Sequence, residues 1–250
     1  MIRKLIIILI FGLGIVSAQP HSIEAIKDSV ISRFEQIEDY RVDIKVAVKM
    51  TGFRMPRKKI RMFYKKPDKM KIEADGFAII PKTGVAGNPS EFLNMLESVS
   101  EINPITLDNN NQWKISGSVK PDSLKIPLGL GKDEVPDISM DLFIDADDWV
   151  INQVAVFVDT QKVFIINTDY EIVDGFVLPR QTEFKLGLKG ISQWTTRNPF
   201  GGPEGDRHDF DSIAKSAGYD SEKDEFAGKI TMTFSKYRVN KGLKDRIFRE

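Results

Sequence analysis

Val42-Asp43-Ile44-Lys45-Val46-Ala47-Val48-Lys49-Met50 alternates apolar residues with polar or small ones at a period of two. That is the period of a strand with one face buried and the other wet. The alternation resumes after a turn at residues 52–56, through Ile60, Met62 and Tyr64. It turns again at Lys66-Pro67-Asp68-Lys69, with proline in its favoured turn position, and returns through Met70, Ile72 and Ala74. Three strands joined this closely make an antiparallel meander.

Outward from this stretch the periods change. Upstream, Ile23, Ile26, Val30, Phe34 and Ile37 recur at spacings of three and four, which predicts an amphipathic helix capped by Ser22 and closed by Asp39-Tyr40. Downstream, Asn88-Pro89 reads as a second helix start, with Phe92, Leu93, Leu96 and Val99 on its apolar side. Short strands are predicted at Trp113–Ser116, Ile138–Ile144, Val150–Val158, Val163–Tyr170, Phe176–Leu188 and Lys229–Val239. Residues 145–148 and Asp174-Gly175 supply tight turns between them. Residues 121–136 read as a Pro- and Gly-containing loop, and about 189–227 as a polar insertion of weak periodicity. The fold class is α+β, with helices laid on one face of an antiparallel sheet.

At the N-terminus, Arg3 and Lys4 precede the apolar run Leu5 to Val16, and Val16-Ser17-Ala18 offers a small-residue cleavage site. This is the pattern of a cleaved signal peptide over residues 1–18, which places the protein in the periplasm as a single domain over 19–250. The run is shorter than the roughly 20 residues that span a bilayer. There is no cysteine, so disulfides, thiolate sites and the lipid-bearing cysteine of a lipoprotein are excluded. Without Arg3 and Lys4, 34 basic side chains face 36 acidic ones, a balance that argues against a nucleic-acid partner.

Candidate chemistry is sparse. The two histidines, His21 and His208, lie beside the cleavage site and in the insertion, and no Gly-x-Ser-x-Gly elbow is present. His208 with Asp209 and Asp211, or Asp145 with Asp147 and Asp148, are acids in loops, which read as solvated turn residues rather than metal ligands. Gly129-Leu130-Gly131-Lys132 lacks the rest of a phosphate loop. The expectation is a protein that is not an enzyme and holds no metal or cofactor.

Charge is less even than its total. Arg41 to Lys71 carries twelve Lys or Arg against Asp43 and Asp68, many of them at the turns. Two readings stand: a solvated face whose edge lysines discourage aggregation, or a rim that meets anionic lipid head groups or an acidic partner. The segment 204–225 holds eight acids against three bases, and by charge alone it suits a gate over that rim.

In order, these features resemble the outer-membrane lipoprotein carrier and receptor family and its lipoprotein-sorting relatives. The similar residues are the helix ending in Asp39-Tyr40, the run Tyr64-Lys65-Lys66-Pro67-Asp68-Lys69-Met70-Lys71-Ile72, and Leu142-Phe143-Ile144-Asp145. Gly175-Phe176-Val177-Leu178-Pro179 and the closing run from Ile230 to Leu243, with Asp245 and Phe248, complete them. The resemblance covers about Ile23 to Phe248, with 189–227 unmatched. It implies a curved antiparallel sheet forming an incomplete β-barrel, its open side covered by helices, around an apolar cavity for acyl chains. The function implied is a periplasmic carrier that shields the acyl chains of a lipid or lipoprotein during sorting to the outer membrane. The alternatives are an envelope sensor or interaction module on the same fold, and a hydrolase or transferase using the cavity.

The cavity-facing positions expected from alternation are Val46, Val48, Ile60, Met62, Tyr64, Ile72, Val154, Val156, Ile165 and Phe184. The resemblance adds Met70 as a lid-facing residue and puts Lys65, Lys66 and Pro67 at the rim. Lys66 stands where the carriers have an arginine that couples binding to lid closure. A lysine cannot reproduce the planar two-pronged contact of that arginine. Alternation alone does not distinguish a filled core from a hollow one; the resemblance implies the hollow form.

Overall fold

The computed structural model describes residues 22–50, 53–54, 57–74, 88–107, 109–120, 137–186 and 228–249. The expected signal segment, the 121–136 loop, the 189–227 insertion and both histidines lie outside them.

Helix α1 (Ile23–Glu35) starts at Ser22, whose hydroxyl accepts from the Ala25 amide, with Glu24 in the first turn and Arg33 in the last. It ends before the expected stop. Ile37 lies beyond it, still buried, and Asp39-Tyr40 already belongs to the first strand. Strands β1 (Asp39–Met50), β2 (Phe53–Arg54), β3 (Lys58–Lys65) and β4 (Lys69–Ala74) form the meander. The Lys66–Pro67 bond in its second turn is cis. A short helix α2 (Ser90–Met95) leads into β5 (Leu96–Leu107), and β6 (Asn110–Val119), β7 (Ile138–Asp145), β8 (Ile151–Val158), β9 (Gln161–Val173), β10 (Phe176–Leu186) and β11 (Gly228–Val239) follow. A 3-10 turn at Asp245–Phe248 comes last.

All the strands belong to one antiparallel sheet, in the order β4-β3-β1-β11-β10-β9-β8-β7-β6-β5, with β2 paired to β1 alone. The path does not close. It does curl, because Met62 on β3 and Ile151 on β8 line the same small cavity. Those strands are five steps apart, roughly 24 Å in a flat sheet. Asp174 and Gly175 both have positive φ, as a two-residue turn matched to strand twist requires.

The second helix is the main correction to the sequence reading. Leu96 and Val99 are not helical; they open β5, which pairs with β6 from Leu96↔Val119 to Leu107↔Asn110. Four apolar residues at helical spacing do not outweigh a ladder of that length. The strand sits at the sheet's edge, where Pro104 is tolerated. Opposite it, Gly117 leaves room for the Ser98 carbonyl, which any Cβ there would meet head-on.

Candidate functional site

The even-numbered residues of β1, from Val42 to Val48, share one face with Ile60 and Met62 of β3 and Ile230, Met232 and Phe234 of β11. Leu178 and Phe184 of β10 continue it towards Met140, Leu142 and Ile144 of β7, and all are buried in one cluster. We call this the inner face. Ile26 and Val30 of α1 are completely or almost completely buried in the same cluster, with Ile23, Ile31 and Phe34 packed against it. Leu93 of α2 joins them.

A β-bulge shapes the centre. The register between β1 and β11 shifts between Arg41 and Asp43, and Lys236 adopts positive φ. The extra residue lets both Phe234 and Tyr237 contribute to the inner cluster while Lys236 stays outside. Tyr237 then meets Tyr40 edge-on at 6.0 Å, and Tyr40 stacks on Tyr64 at 5.2 Å. Phe34 of α1 closes on Tyr64 at 5.4 Å. The Tyr237 hydroxyl donates to the Pro179 carbonyl (2.7 Å) and that of Tyr170 to the Ile151 carbonyl (2.9 Å). Burial pushes the Tyr40, Tyr170 and Tyr237 phenols well above their ordinary pKa, so they stay neutral. The result is an apolar surface with a few neutral hydroxyls, suited to holding hydrocarbon.

Two small cavities are lined by described residues of this face. One cavity of about 30 Å³ lies between α1 (Val30, Phe34), Tyr40, Met62, Trp149 and Phe234. Another of about 30 Å³ lies beneath Pro89 and Phe92, against Val154, Ile166 and Thr182. They share Pro89, Ile151, Tyr170 and Pro179 as walls. Each has room for about one water.

Most of the expected cavity residues meet here. Val46, Val48, Ile60, Met62, Tyr64, Val154, Val156 and Phe184 all belong to the inner cluster, and Ile72 packs against it. Two do not. Ile165 is buried but on the opposite face: it pairs with Ala155 and Lys185, while Phe164 and Ile166 point inward beside Val156 and Val154. Val163 to Ile166 is an unbroken apolar run, so alternation carried no information about its face. Met70 sits on the edge strand β4 and is 41 % exposed. Conversely, Tyr40, Trp149, Tyr170 and Tyr237 escaped the sequence reading. Their aromatic character was the only signal, and the bulge that turns Tyr237 inward has no sequence signature.

The rim is a network. The Lys66 ammonium donates to the Glu35 carbonyl at the end of α1 and lies 3.2 Å from Glu38, where the helix dipole favours a cation. The Lys65 ammonium donates to the Leu243 carbonyl (2.8 Å) and Asp245 (2.7 Å), and Lys69 is 3.2 Å from the same carboxylate. Those two lysines hold Asp245 below the usual carboxylate range. Pro67 is exposed, and its carbonyl accepts weakly from Tyr64 at 3.4 Å. Beneath lies Asp39, buried, accepting from the amides of Lys241, Gly242 and Leu243 at 2.9–3.1 Å. The Asn240 side chain accepts from the Glu38 amide and donates to the Gln36 carbonyl. The end of α1, the β3–β4 turn and the C-terminal segment are thereby tied together. Elsewhere, the Asp145 carboxylate accepts from the Asp147 and Asp148 amides at 2.9 Å, a turn-forming role.

An open antiparallel sheet with one continuous apolar face and an apolar helix packed on it is also found in proteins of known structure. An outer membrane lipoprotein-sorting protein domain from Vibrio parahaemolyticus superposes with a TM-score of 0.55, covering 90 % of this chain and 94 % of that one at 8 % identity. A LolA superfamily protein from Nitrosomonas europaea gives 0.52, with 89 % and 97 % covered at 8 % identity. The chain has the lipoprotein-carrier fold. A DUF1329 family protein from Desulfovibrio piger superposes at 0.50, covering 91 % and 97 % at 9 % identity. No family model matches the sequence, and no curated protein does. Over this lipoprotein-carrier fold, the likeness is one of backbone path, at 8–9 % sequence identity. Among the described residues, no helix is long and apolar enough to cross a membrane.

Proposed function

We propose that the protein is a non-enzymatic envelope carrier that shields the acyl chains of a lipid or lipoprotein on the inner face of its sheet. The helices serve as the cover of the open side. The observation that carries this reading is an apolar inner face with α1 laid across it and, among the described residues, cavities of about 30 Å³ between them. Ligand pockets run to roughly 300–1,000 Å³, so the arrangement suits a closed, empty state that opens by moving α1.

Magnitudes make such an exchange nearly balanced. Ile26 and Val30 of α1 are fully buried, worth about 3–6 kcal/mol together, and the half-buried Ile23, Ile31 and Phe34 add roughly 2–4 kcal/mol. An acyl chain burying about ten methylenes in their place contributes about 8 kcal/mol. Lys66, bonded to the end of α1, is the natural catch for that movement, acting as a point charge where an arginine would fork.

Native mass spectrometry and lipid extraction of the gently purified protein, followed by titration with a fluorescent fatty acid, test the reading. A co-purifying acylated species, or saturable probe binding quickened by Lys66→Ala, is the expected result. A lipid-free protein that ignores the probe removes the carrier reading and leaves the sensor or interaction module.

A further inference from the structure

We propose that the outer face of β4, β3, β1 and β11 is a docking surface for an anionic lipid bilayer. On that face like charges stand directly opposite one another across the strands: Arg41 faces Arg238, Lys45 faces Lys59, and Lys49 faces Lys229. Such pairs destabilise a sheet. Edge protection does not account for them, because β1 and β11 lie inside the sheet with a neighbour on each side. Nor does bulk composition, since the whole chain has 36 basic and 36 acidic residues.

Acidic relief is partial. Glu183 of β10 pairs with Lys229, and Asp245 with Lys65 and Lys69. Asp39 is covered by the C-terminal segment, which leaves Asp43 and Glu73 among the described residues of these four strands. Asp43 is shared among Arg61 (3.1 Å), Lys236 (3.5 Å) and Arg41 (4.0 Å), and Glu73 is 3.9 Å from Arg61. Lys45, Lys49, Lys59 and Arg238 are exposed and have no ion-pair partner among the described residues. A groove of about 750 Å³ runs between Lys45, Lys59, Arg61 and Lys236.

Area and exposure select the occupant. Four adjacent strands present cations over roughly 15 Å across the strands. One row, Glu73, Arg61, Asp43 and Lys236, alternates in sign, and among the described residues no exposed large apolar side chain on this face offers the anchor of a protein interface. A plane of anionic head groups matches the exposed Lys45, Lys49, Lys59 and Arg238 on either side of that row, and flexible ammonium groups can each find a phosphate. The face lies on the opposite side of the sheet from the acyl-binding surface proposed above, so docking and loading are separately testable.

The test is co-sedimentation of the purified protein with vesicles of phosphatidylcholine alone or mixed with phosphatidylglycerol. Binding to the anionic vesicles should exceed that to neutral ones at least about tenfold. It should vanish when salt rises from about 0.1 M to about 1 M, as the screening length falls from roughly 10 Å to roughly 3 Å. The double variant Lys45→Gln/Lys59→Gln should weaken it about 25-fold, roughly fivefold per cation. Lys120→Gln/Lys162→Gln, the same charge loss elsewhere, should leave it unchanged. Equal binding to both vesicles, or equal loss in the two double variants, overturns the proposal. So does saturable binding to polyglutamate with none to vesicles, which would put an acidic protein in the lipid's place. Fatty-acid binding measured on the same variants fails or survives independently, which separates this surface from the carrier reading.

Discussion

On β1, β3 and β11 the outer side chains set cation against cation, whereas on β6 to β9 the same face carries matched or neutral groups. Lys114 lies 3.1 Å from Asp141, Ser116 donates to Asp141 at 2.6 Å, and the Gln153 amide donates to Asn167 at 2.7 Å. No like charges face each other across β6 to β9. The inner faces show no such division: Ile44 and Leu142 are equally buried in one cluster. The sheet is thus a single structural unit with two different outsides. Burial governs the inner face uniformly, while the outer face is free to differ because solvated side chains contribute little to stability.

Breaking the inner face should erase the comparison. Ile44→Ala in the basic half and Leu142→Ala in the other should each cost about 3–4 kcal/mol of unfolding free energy. Urea titration checks this, and a difference of more than about 1 kcal/mol between them would mean that the halves do not share one core. Next comes the end of the basic half. Asp39→Ala leaves the amides of Lys241, Gly242 and Leu243 without their acceptor and should cost about 3 kcal/mol. It should also raise hydrogen exchange along the 240–249 segment and in the β3–β4 turn together.

Asp43 offers a sharper contrast. Burial raises the pKa of its carboxyl, but the hydrogen bond and charge of Arg61, aided by Lys236, outweigh that and leave it lowered. A lowered folded pKa means stability that is complete above the unfolded value, near 4, and lost as pH falls through the folded one. Amides of β1 and β3 should therefore lose exchange protection in acid before those of β7 and β8. Asp43→Asn should abolish that difference at a cost of about 1 kcal/mol at neutral pH, kept small by solvent screening. The smallest effect should come from Lys45→Gln/Lys59→Gln, which removes a facing like-charge pair and should raise stability by a few tenths of a kcal/mol, about 0.3. A clear loss of Tm would show that these lysines support the fold instead.

Much of this was legible in the chain. The period of two from Val42 to Ala74 predicted the meander, and Asp174-Gly175 its kind of turn, because each is set by neighbours in sequence. The inner face was readable wherever apolar and polar residues alternate. It was misread at Ile165, where they do not, and at Leu96 and Val99, where a partner strand more than ten residues away decided the conformation. The rim was partly visible: Lys65, Lys66 and Pro67 stood out, but not that Asp39 and Asn240 anchor the segment that receives them. Twelve basic residues between Arg41 and Lys71 were plain, yet counting could not place them opposite Lys229 and Arg238.

By itself, then, the sequence determined the α+β class, the strand periods and the excess of positive charge in the meander, all properties of local spacing and composition. Only the tertiary structure decided that β11 returns to lie beside β1. That one pairing, between segments some 190 residues apart, completes the inner face, turns Tyr237 into it through a bulge, and sets cation opposite cation on the outside. Long-range pairing is selected by the total burial of the sheet, and no local stretch of sequence contains that sum.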